Sequence, residues 1–491
     1  MTSVAVADLS VLIKRYKGNL PRYTSYPTAA SFTAAVGFSH AQAWLSTLSS
    51  VLPAEEPISL YCHIPFCDEL CRFCGCHTSV VRHEEARRAY AETLKEELRR
   101  IALLIGRRSV QHIHFGGGTP TTLPLNALHS LMHTIGTLFA LIPHGEIAME
   151  LDPRHVPADY PQALKALGFN RVSLGVQDIN PRVQEACGRL QSFEQTKDVV
   201  ERVRAAGMSG VNIDLIYGLP YQTQESVVQT AQQITMLKPE RLAIFGYAHV
   251  PWKQKRQQLI PTEALPDSTE RLAQRHCIEQ VLHQAGYEKI GLDHYALPTD
   301  SLACAARQGT LHRNFQGYTV DPCQVLIGIG ASAISMLPQG FVQNIVSPAQ
   351  YTRTLEETTH LPIARGVVRT AEDHQRWAII ERLMCDLSVD VQNPSQPVRT
   401  AKTSPYKPYK TWNPYFEKER SALEPFIQDG IITIQGSIVR MTEKGRPFLR
   451  HVAAVFDVYR ESLAQQAQQA HNAHANTPHQ QEAARCFSNS L

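Results

Sequence analysis

Six short β-branched runs recur through the first half of the chain, spaced so that a helix fits between each pair. They are ISLYCHI (58–64), VQHIHFGG (110–117), EIAMELDP (146–153), RVSLGVQD (171–178), VNIDLIYG (211–218) and RLAIFGYAH (241–249). The intervening stretches are charged or Ala/Leu-rich with helical periodicity, most plainly EEARRAYAETLKEELRRIALLI (84–105). Parallel strands need a crossover connection, usually a helix, so this alternation predicts an α/β protein built on a parallel sheet. Six units predict a partial (β/α)6 barrel, with a complete barrel or an open doubly wound sheet as the alternatives.

Polar residues gather where these runs end: Cys67 onward, Gly116 to Thr119, Glu150 and Asp152, Gln177 and Asp178, Asp214, and Tyr247 to His249. The C-terminal rim of a parallel barrel is where such folds place their chemistry. Recurrence at six strand ends points to one shared site. Around the barrel, expected at 55–300, the chain divides further. Residues 1–54 read as an N-terminal arm whose PRYTSYPT (21–28) is too rich in Pro and Tyr for a helix interior. Residues 301–365, with HRNFQGYT and LIGIGASAIS, read as a return segment completing the site. Residues 366–460 read as a small, mostly helical, winged-helix-like C-terminal domain, with the hairpin strands GIITI and SIVRMT. A Pro-rich basic insertion (392–412) interrupts this domain, and a Gln/Ala/His-rich tail (461–491) reads as flexible.

A chain of 491 residues with a net charge of +3 is long enough for a large core and gives no sign of a general polyanion binder. No run of about 18 apolar residues predicts a membrane span. The opening MTSVAVADLSVLIKRYKGNL places its charges after its apolar residues, the reverse of a secretory signal, so a cytoplasmic location is expected. Eleven cysteines in a reducing compartment do not predict a disulfide framework.

Five of them fall within YCHIPFCDELCRFCGCHT (61–78). Cys67, Cys71 and Cys74 form C-x3-C-x2-C, with Cys76 and Cys62 alongside. Thiolates this close select a soft centre, zinc or an iron–sulfur cluster. Structural zinc usually takes two separated ligand pairs, and the chain has no second C-x2-C. A cluster held by three cysteines leaves one iron open to a ligand, as catalytic metal sites do.

This motif after a first barrel strand resembles the signature of the radical S-adenosylmethionine (radical SAM) enzymes. The flanking YCHIPFC, CRFCGC, HFGGGTPT, ELDPR, GVQD, NIDLIYGLP, YAH, HRNFQGYT and GASAISM, with PRYTSYPT before them, resemble in order the oxygen-independent coproporphyrinogen III oxidases. The likeness runs from about residue 20 to residue 460. It implies a 4Fe-4S cluster on Cys67, Cys71 and Cys74 whose open iron binds one S-adenosylmethionine (SAM), the source of a 5′-deoxyadenosyl radical. It places Gly117, Glu150 and Ile334 beside that SAM, and Gly118, Thr119, Gln177, Arg189, Asp214 and Ala248 beside a second one. Tyr61 is expected to pack on the cofactors, or else in the core, and Phe73 to shield the cluster. His63 lines the cavity or is a satisfied core histidine. Cys76 lies near the cluster, with fourth-ligand status as the alternative. Cys62 departs from the family's small apolar residue, and strand alternation turns it away from the site.

The implied substrate is coproporphyrinogen III, two of whose propionates leave as carbon dioxide to give the vinyl groups of protoporphyrinogen IX in anaerobic haem biosynthesis. Carboxylates favour guanidinium partners, so Arg22 and Arg313 are candidates for propionate contacts. A low-potential electron donor such as a flavodoxin-type protein is implied, as is a monomer, with no nucleic-acid or membrane partner. Two rivals remain at this point: a haem-chaperone-like branch of the same superfamily, which usually lacks Cys76 and HRNFQGY, and a zinc-bearing nucleic-acid-binding protein.

Overall fold

The computed structural model describes residues 6–16, 18–398 and 411–462. Most of the basic insertion and nearly all of the tail lie outside these residues. The six predicted strands are present as β1 (Ile58–Ile64), β2 (Ser109–Gly117), β3 (Ala140–Leu151), β4 (Arg171–Gln177), β5 (Gly210–Tyr217) and β6 (Arg241–Gly246). Helices α1 (Glu84–Ile105), α2 (Leu125–Leu138), α3 (Phe193–Ala205) and α4 (Gln224–Met236) provide crossovers, and α5 (Ser268–Gln284) follows β6. In α1, Leu94, Leu98, Ile101 and Ile105 recur at helical spacing and are buried against the sheet. Gly106, at φ 71°, ends the helix in a conformation that glycine adopts without steric cost. Helices α3 and α4 each begin with a reciprocal capping box, Ser192 with Gln195 and Thr223 with Ser226.

Strand β3 starts six residues earlier than its β-branched run. Pro143 and Gly145 interrupt the pattern there, and the register with β2 shifts between Val110 and His112 to absorb the irregularity.

Strands β1 to β6 pair in parallel, in sequence order. A seventh parallel strand, from the return segment, lies on the other side of β1. After β7 (Glu288–Ile290) and β8 (His294–Ala296) come β9 (Leu326–Ile329), β10 (Ile334–Leu337), β11 (Gly340–Asn344) and β12 (Ile363–Val368). The sheet order is β12-β11-β10-β9-β1-β2-β3-β4-β5-β6-β8-β7, with antiparallel pairs at both ends. This is the expected partial TIM-like barrel. Its central strand β1 is buried along nearly its whole length, as a strand covered on both faces must be.

The C-terminal region opens with α6 (Ala371–Asp386) and contains the expected hairpin, β14 (Ile432–Gln435) and β15 (Ile438–Met441), which β13 (Ser388–Asp390) extends to three strands. It does not form its core alone. Leu12, Ile13, Leu20, Tyr23 and Tyr26 of the N-terminal arm pack with Ile380, Leu383, Phe416, Phe448 and Phe456 in one cluster. The stretch 21–28 is irregular, as predicted. Among the described residues no helix is long and apolar enough to cross a membrane.

Candidate active site

Most of the polar strand ends converge on a cavity of about 510 Å³, within the usual range of small-molecule sites, whereas Asp178 turns away to Gln222 and Thr230 and His249 does not line it. Cys67, Cys71, Cys74 and Cys76 form one wall. Gly117, Gly118, Thr119 and Glu150 form a second, and Gln177, Arg189, Asp214 and Ala248 a third. Phe73 and Arg22 also line it. Tyr61, His63, Ile334 and Arg313 do not line this cavity.

Each of the three predicted ligand sulfurs has a hydrogen-bond donor beside it. Thr119 Oγ1 lies 3.6 Å from Cys67 Sγ, Arg189 Nη1 3.4 Å from Cys71 Sγ, and the Cys76 amide nitrogen 3.4 Å from Cys74 Sγ. A second guanidinium, Arg154, reaches Cys71 Sγ at 3.9 Å. Donors and positive charge favour the thiolate over the thiol. Cys74 is drawn down to about 6, by Cys76 first, against the opposing effect of burial. Burial pushes Cys67 up to about 11. Among the described residues no three donors lie close enough to hold a single metal ion. The donor set, three cysteines each with a donor and two guanidiniums nearby, fits an anionic 4Fe-4S cluster.

The cysteine loop is held from outside. Gln257 Nε2 donates to the Phe73 carbonyl and Gln254 Nε2 to that of Gly75, each at 2.8 Å, and Arg256 Nη1 to Thr78 Oγ1 at 3.0 Å. The Arg72 amide donates to the Cys187 carbonyl at 2.9 Å.

The Gly116–Gly118 triplet serves packing at three separate points. A Cβ at Gly116 would stand 2.6 Å from Glu150 Oε1, and one at Gly118 2.5 Å from the Phe66 carbonyl oxygen. At Gly117, with φ 107°, a Cβ would overlap the His63 ring. Glu150 therefore sits against bare backbone, accepting from the Gly117 amide at 3.0 Å and facing His114 Nε2 at 3.1 Å. Burial opposes its ionisation, but these partners prevail and hold its carboxyl below the ordinary range. Asp214 differs: burial, with the charge of Glu150, raises it to about 6 despite bonds from Asn212 and Ser173. The site thus contains an ionised acceptor and a carboxyl that titrates near neutrality. Arg189 is locked by Asp152 Oδ1 and Oδ2 at 3.0 and 3.1 Å. Gln177 ends β4 at φ 72°, a left-handed conformation that costs an L-residue energy and turns the chain toward the cavity.

His63 lies behind this wall. Its Nδ1 meets the Tyr61 hydroxyl at 3.0 Å, and its Nε2 faces the His77 carbonyl and Ser332 Oγ at 3.3 Å each. Burial lowers it to about 4, so it is neutral. The Tyr61 ring stacks near His114, at 6.0 Å between centroids. Cys62 is fully buried in the barrel core, as strand alternation required. Arg313 is turned to the arm, its Nε donating to the Tyr23 carbonyl at 3.0 Å and its Nη2 to that of Arg22 at 3.1 Å. Sequence reasoning missed His114, Arg154, Gln254, Arg256 and Gln257 as site residues. Only Arg154 carried a signal, in the quoted ELDPR.

Comparison with known proteins agrees with this geometry. The Radical SAM superfamily profile matches residues 61–234. The oxygen-independent coproporphyrinogen III oxidase of Bradyrhizobium diazoefficiens is 44% identical over 459 residues, spanning 92% of this chain and 97% of that protein. The Escherichia coli K12 protein of the same name is 38% identical, over 93% of this chain and 96% of its own length. The solved structure of coproporphyrinogen III oxidase (HemN) from Escherichia coli, described as a radical SAM enzyme, superposes with a TM-score of 0.83 at 36% identity, covering 92% of this chain and 98% of that one.

Proposed function

Because this chain belongs to the oxygen-independent coproporphyrinogen III oxidases, we propose that its cavity holds a 4Fe-4S cluster on Cys67, Cys71 and Cys74 and two molecules of SAM. The enzyme is a radical SAM oxidoreductase of anaerobic haem biosynthesis. It converts two propionates of coproporphyrinogen III to vinyl groups, giving protoporphyrinogen IX. The observation that carries the assignment of the cluster ligands is the hydrogen-bond donor beside each of the three sulfurs. When bound, the cluster and the sulfonium of SAM supply the one-electron chemistry that removes hydrogen from a propionate side chain.

The protein positions the reactants and excludes water. Glu150, held ionised, accepts from the ammonium or ribose hydroxyls of the first SAM, and Gly117 brings bare backbone to the same place. Gln177, Arg189, Asp214 and Ala248, with Gly118 and Thr119, hold the second. Asp214, raised to about 6, changes protonation state just below neutrality and can donate or accept there. Phe73 screens the cluster edge, while Tyr61, neutral His63 and Ile334 form the backing of the first SAM site. Cys76 donates its amide to Cys74 and is not a ligand. Arg22 lines the cavity and meets a propionate, and Arg313 acts through the arm that carries Arg22. Electrons come from a low-potential donor of flavodoxin type, and the enzyme works as a cytoplasmic monomer.

Anaerobically purified protein is expected to be brown, with iron and sulfide in cluster stoichiometry, and to form protoporphyrinogen from coproporphyrinogen III with SAM and a reductant. Cys71→Ser should lose the cluster and turnover together. Colourless protein containing zinc would refute the cluster, and an active, cluster-bearing Cys71→Ser would refute the ligand role.

A further inference from the structure

Most of the charge that lines the cavity is already matched. Glu69 is paired with Arg154 at 2.9 Å, Glu150 faces His114 at 3.1 Å, and Asp152 holds Arg189 at 3.0 Å. Two lining guanidiniums, Arg22 and Arg256, form no ion pair among the described residues. Arg256 bonds to Thr78 alone, from Nη1 to Oγ1 at 3.0 Å and from Nη2 to the carbonyl at 3.3 Å. A guanidinium has five N–H groups, so two are used and three remain. The Arg256 Nε is one of the three, and it is not sealed from solvent.

The backbone beneath Arg256 is fixed. It belongs to the short 3-10 turn Lys255–Leu259. The next residue, Gln257, is 1% exposed and makes three hydrogen bonds. It accepts from the Val250 amide at 2.6 Å and donates to the Phe73 and Ala248 carbonyls at 2.8 and 3.1 Å. The two bonds to Thr78 then fix the plane of the Arg256 guanidinium. A ligand that meets it there costs little further loss of rotamer freedom.

We propose that Arg256 binds a propionate of the tetrapyrrole at the cysteine-loop edge of the cavity, on a different pyrrole from the one whose propionate meets Arg22. This rests on the function proposed above. The two guanidiniums stand at different edges, Arg22 against the end of β6 and Arg256 against Thr78. Coproporphyrinogen III carries one propionate on each of four pyrroles, so a ring lying across the mouth presents carboxylates to both edges. Arg189, the third guanidinium of the lining, is already engaged by both oxygens of Asp152. A carboxylate on the remaining N–H groups of Arg256 gains charge-assisted bonds without displacing Thr78. The carboxylate of SAM has the same chemistry, and the test separates the two.

Phenylglyoxal, which modifies guanidiniums, is expected to label Arg256 in the wild-type holoenzyme, read by peptide mass spectrometry. Coproporphyrin III, the oxidised relative that keeps the four carboxylates, should suppress this labelling, and SAM alone should not. In fluorescence titration, Arg256→Gln should bind coproporphyrin III about tenfold more weakly, the scale of one lost charge-assisted contact, and with less sensitivity to salt. It should raise KM for coproporphyrinogen III more than it lowers kcat, with SAM affinity unchanged. Arg256→Lys should recover part of the loss, as a single charge without the planar fork. The labelling uses wild-type protein, so it decides the question if Arg256→Gln fails to hold the cluster. Suppression by SAM but not by coproporphyrin III would overturn the proposal, as would binding and KM within twofold of wild type in Arg256→Gln. Wild-type holoenzyme that forms no protoporphyrinogen would instead overturn the function on which it rests.

Discussion

Glu97 lies midway along α1, 1% exposed, and accepts from the Gly330 amide at 2.8 Å, Asn344 Nδ2 at 2.7 Å and the Tyr351 hydroxyl at 2.5 Å. It holds the turn that carries Ser332 toward His63. Burial nonetheless outweighs these donors and raises its carboxyl to about 7. A carboxyl raised by folding stabilises the native state fully below its unfolded pKa. That contribution fades as pH climbs from about 4.5 through 7, by on the order of 3 kcal/mol. Asp214 and Asp386, each raised to about 6, add to the same fall. Glu97→Gln should therefore lose less of its denaturant midpoint between pH 5 and pH 8 than wild type. An equal drop in both would show that Glu97 does not titrate in this window. At this scale the thiols were legible, because ligands within one loop leave their spacing in the sequence. His114 and the Asp152–Arg189 pair were not: His114 meets Glu150 through the register of neighbouring strands, and Asp152 and Arg189 meet from two loops that only the folded barrel brings together.

The loop 67–78 has few backbone bonds of its own and depends on side chains from the segment after β6, Gln254, Arg256 and Gln257. The barrel strands are held to one another by backbone ladders with only local register shifts. Removal of the iron should raise hydrogen–deuterium exchange in 67–78 and in 254–257 while leaving β1 to β6 protected. Equal loosening of loop and strands would mean that the cluster supports the whole barrel. The strands themselves were readable from their β-branched runs, and α1 from its helical period. The position of β9 beside β1 was not, since four short residues say nothing of which edge they will join.

Over the whole molecule, the start and end of the described chain are joined. Tyr23 donates to Asp457 Oδ2 at 3.0 Å, and the Val458 amide donates to the Tyr26 hydroxyl at 3.1 Å, both within the core that the arm shares with the C-terminal region. Tyr23→Phe removes a buried donor from Asp457 and should cost about 1–3 kcal/mol. Because the arm carries Arg22, the variant should also raise KM for the porphyrinogen with SAM affinity unchanged. A matching loss of SAM affinity would place the defect in the barrel instead. Sequence composition separated an arm from a C-terminal unit, yet apolar residues do not name their partners, and the shared core was not legible.

That union has a consequence for how the enzyme is made. Residues 20–28 share a core with Phe448 to Val458, more than 400 residues later in the chain, so that core is complete only when nearly the whole of it has been synthesised.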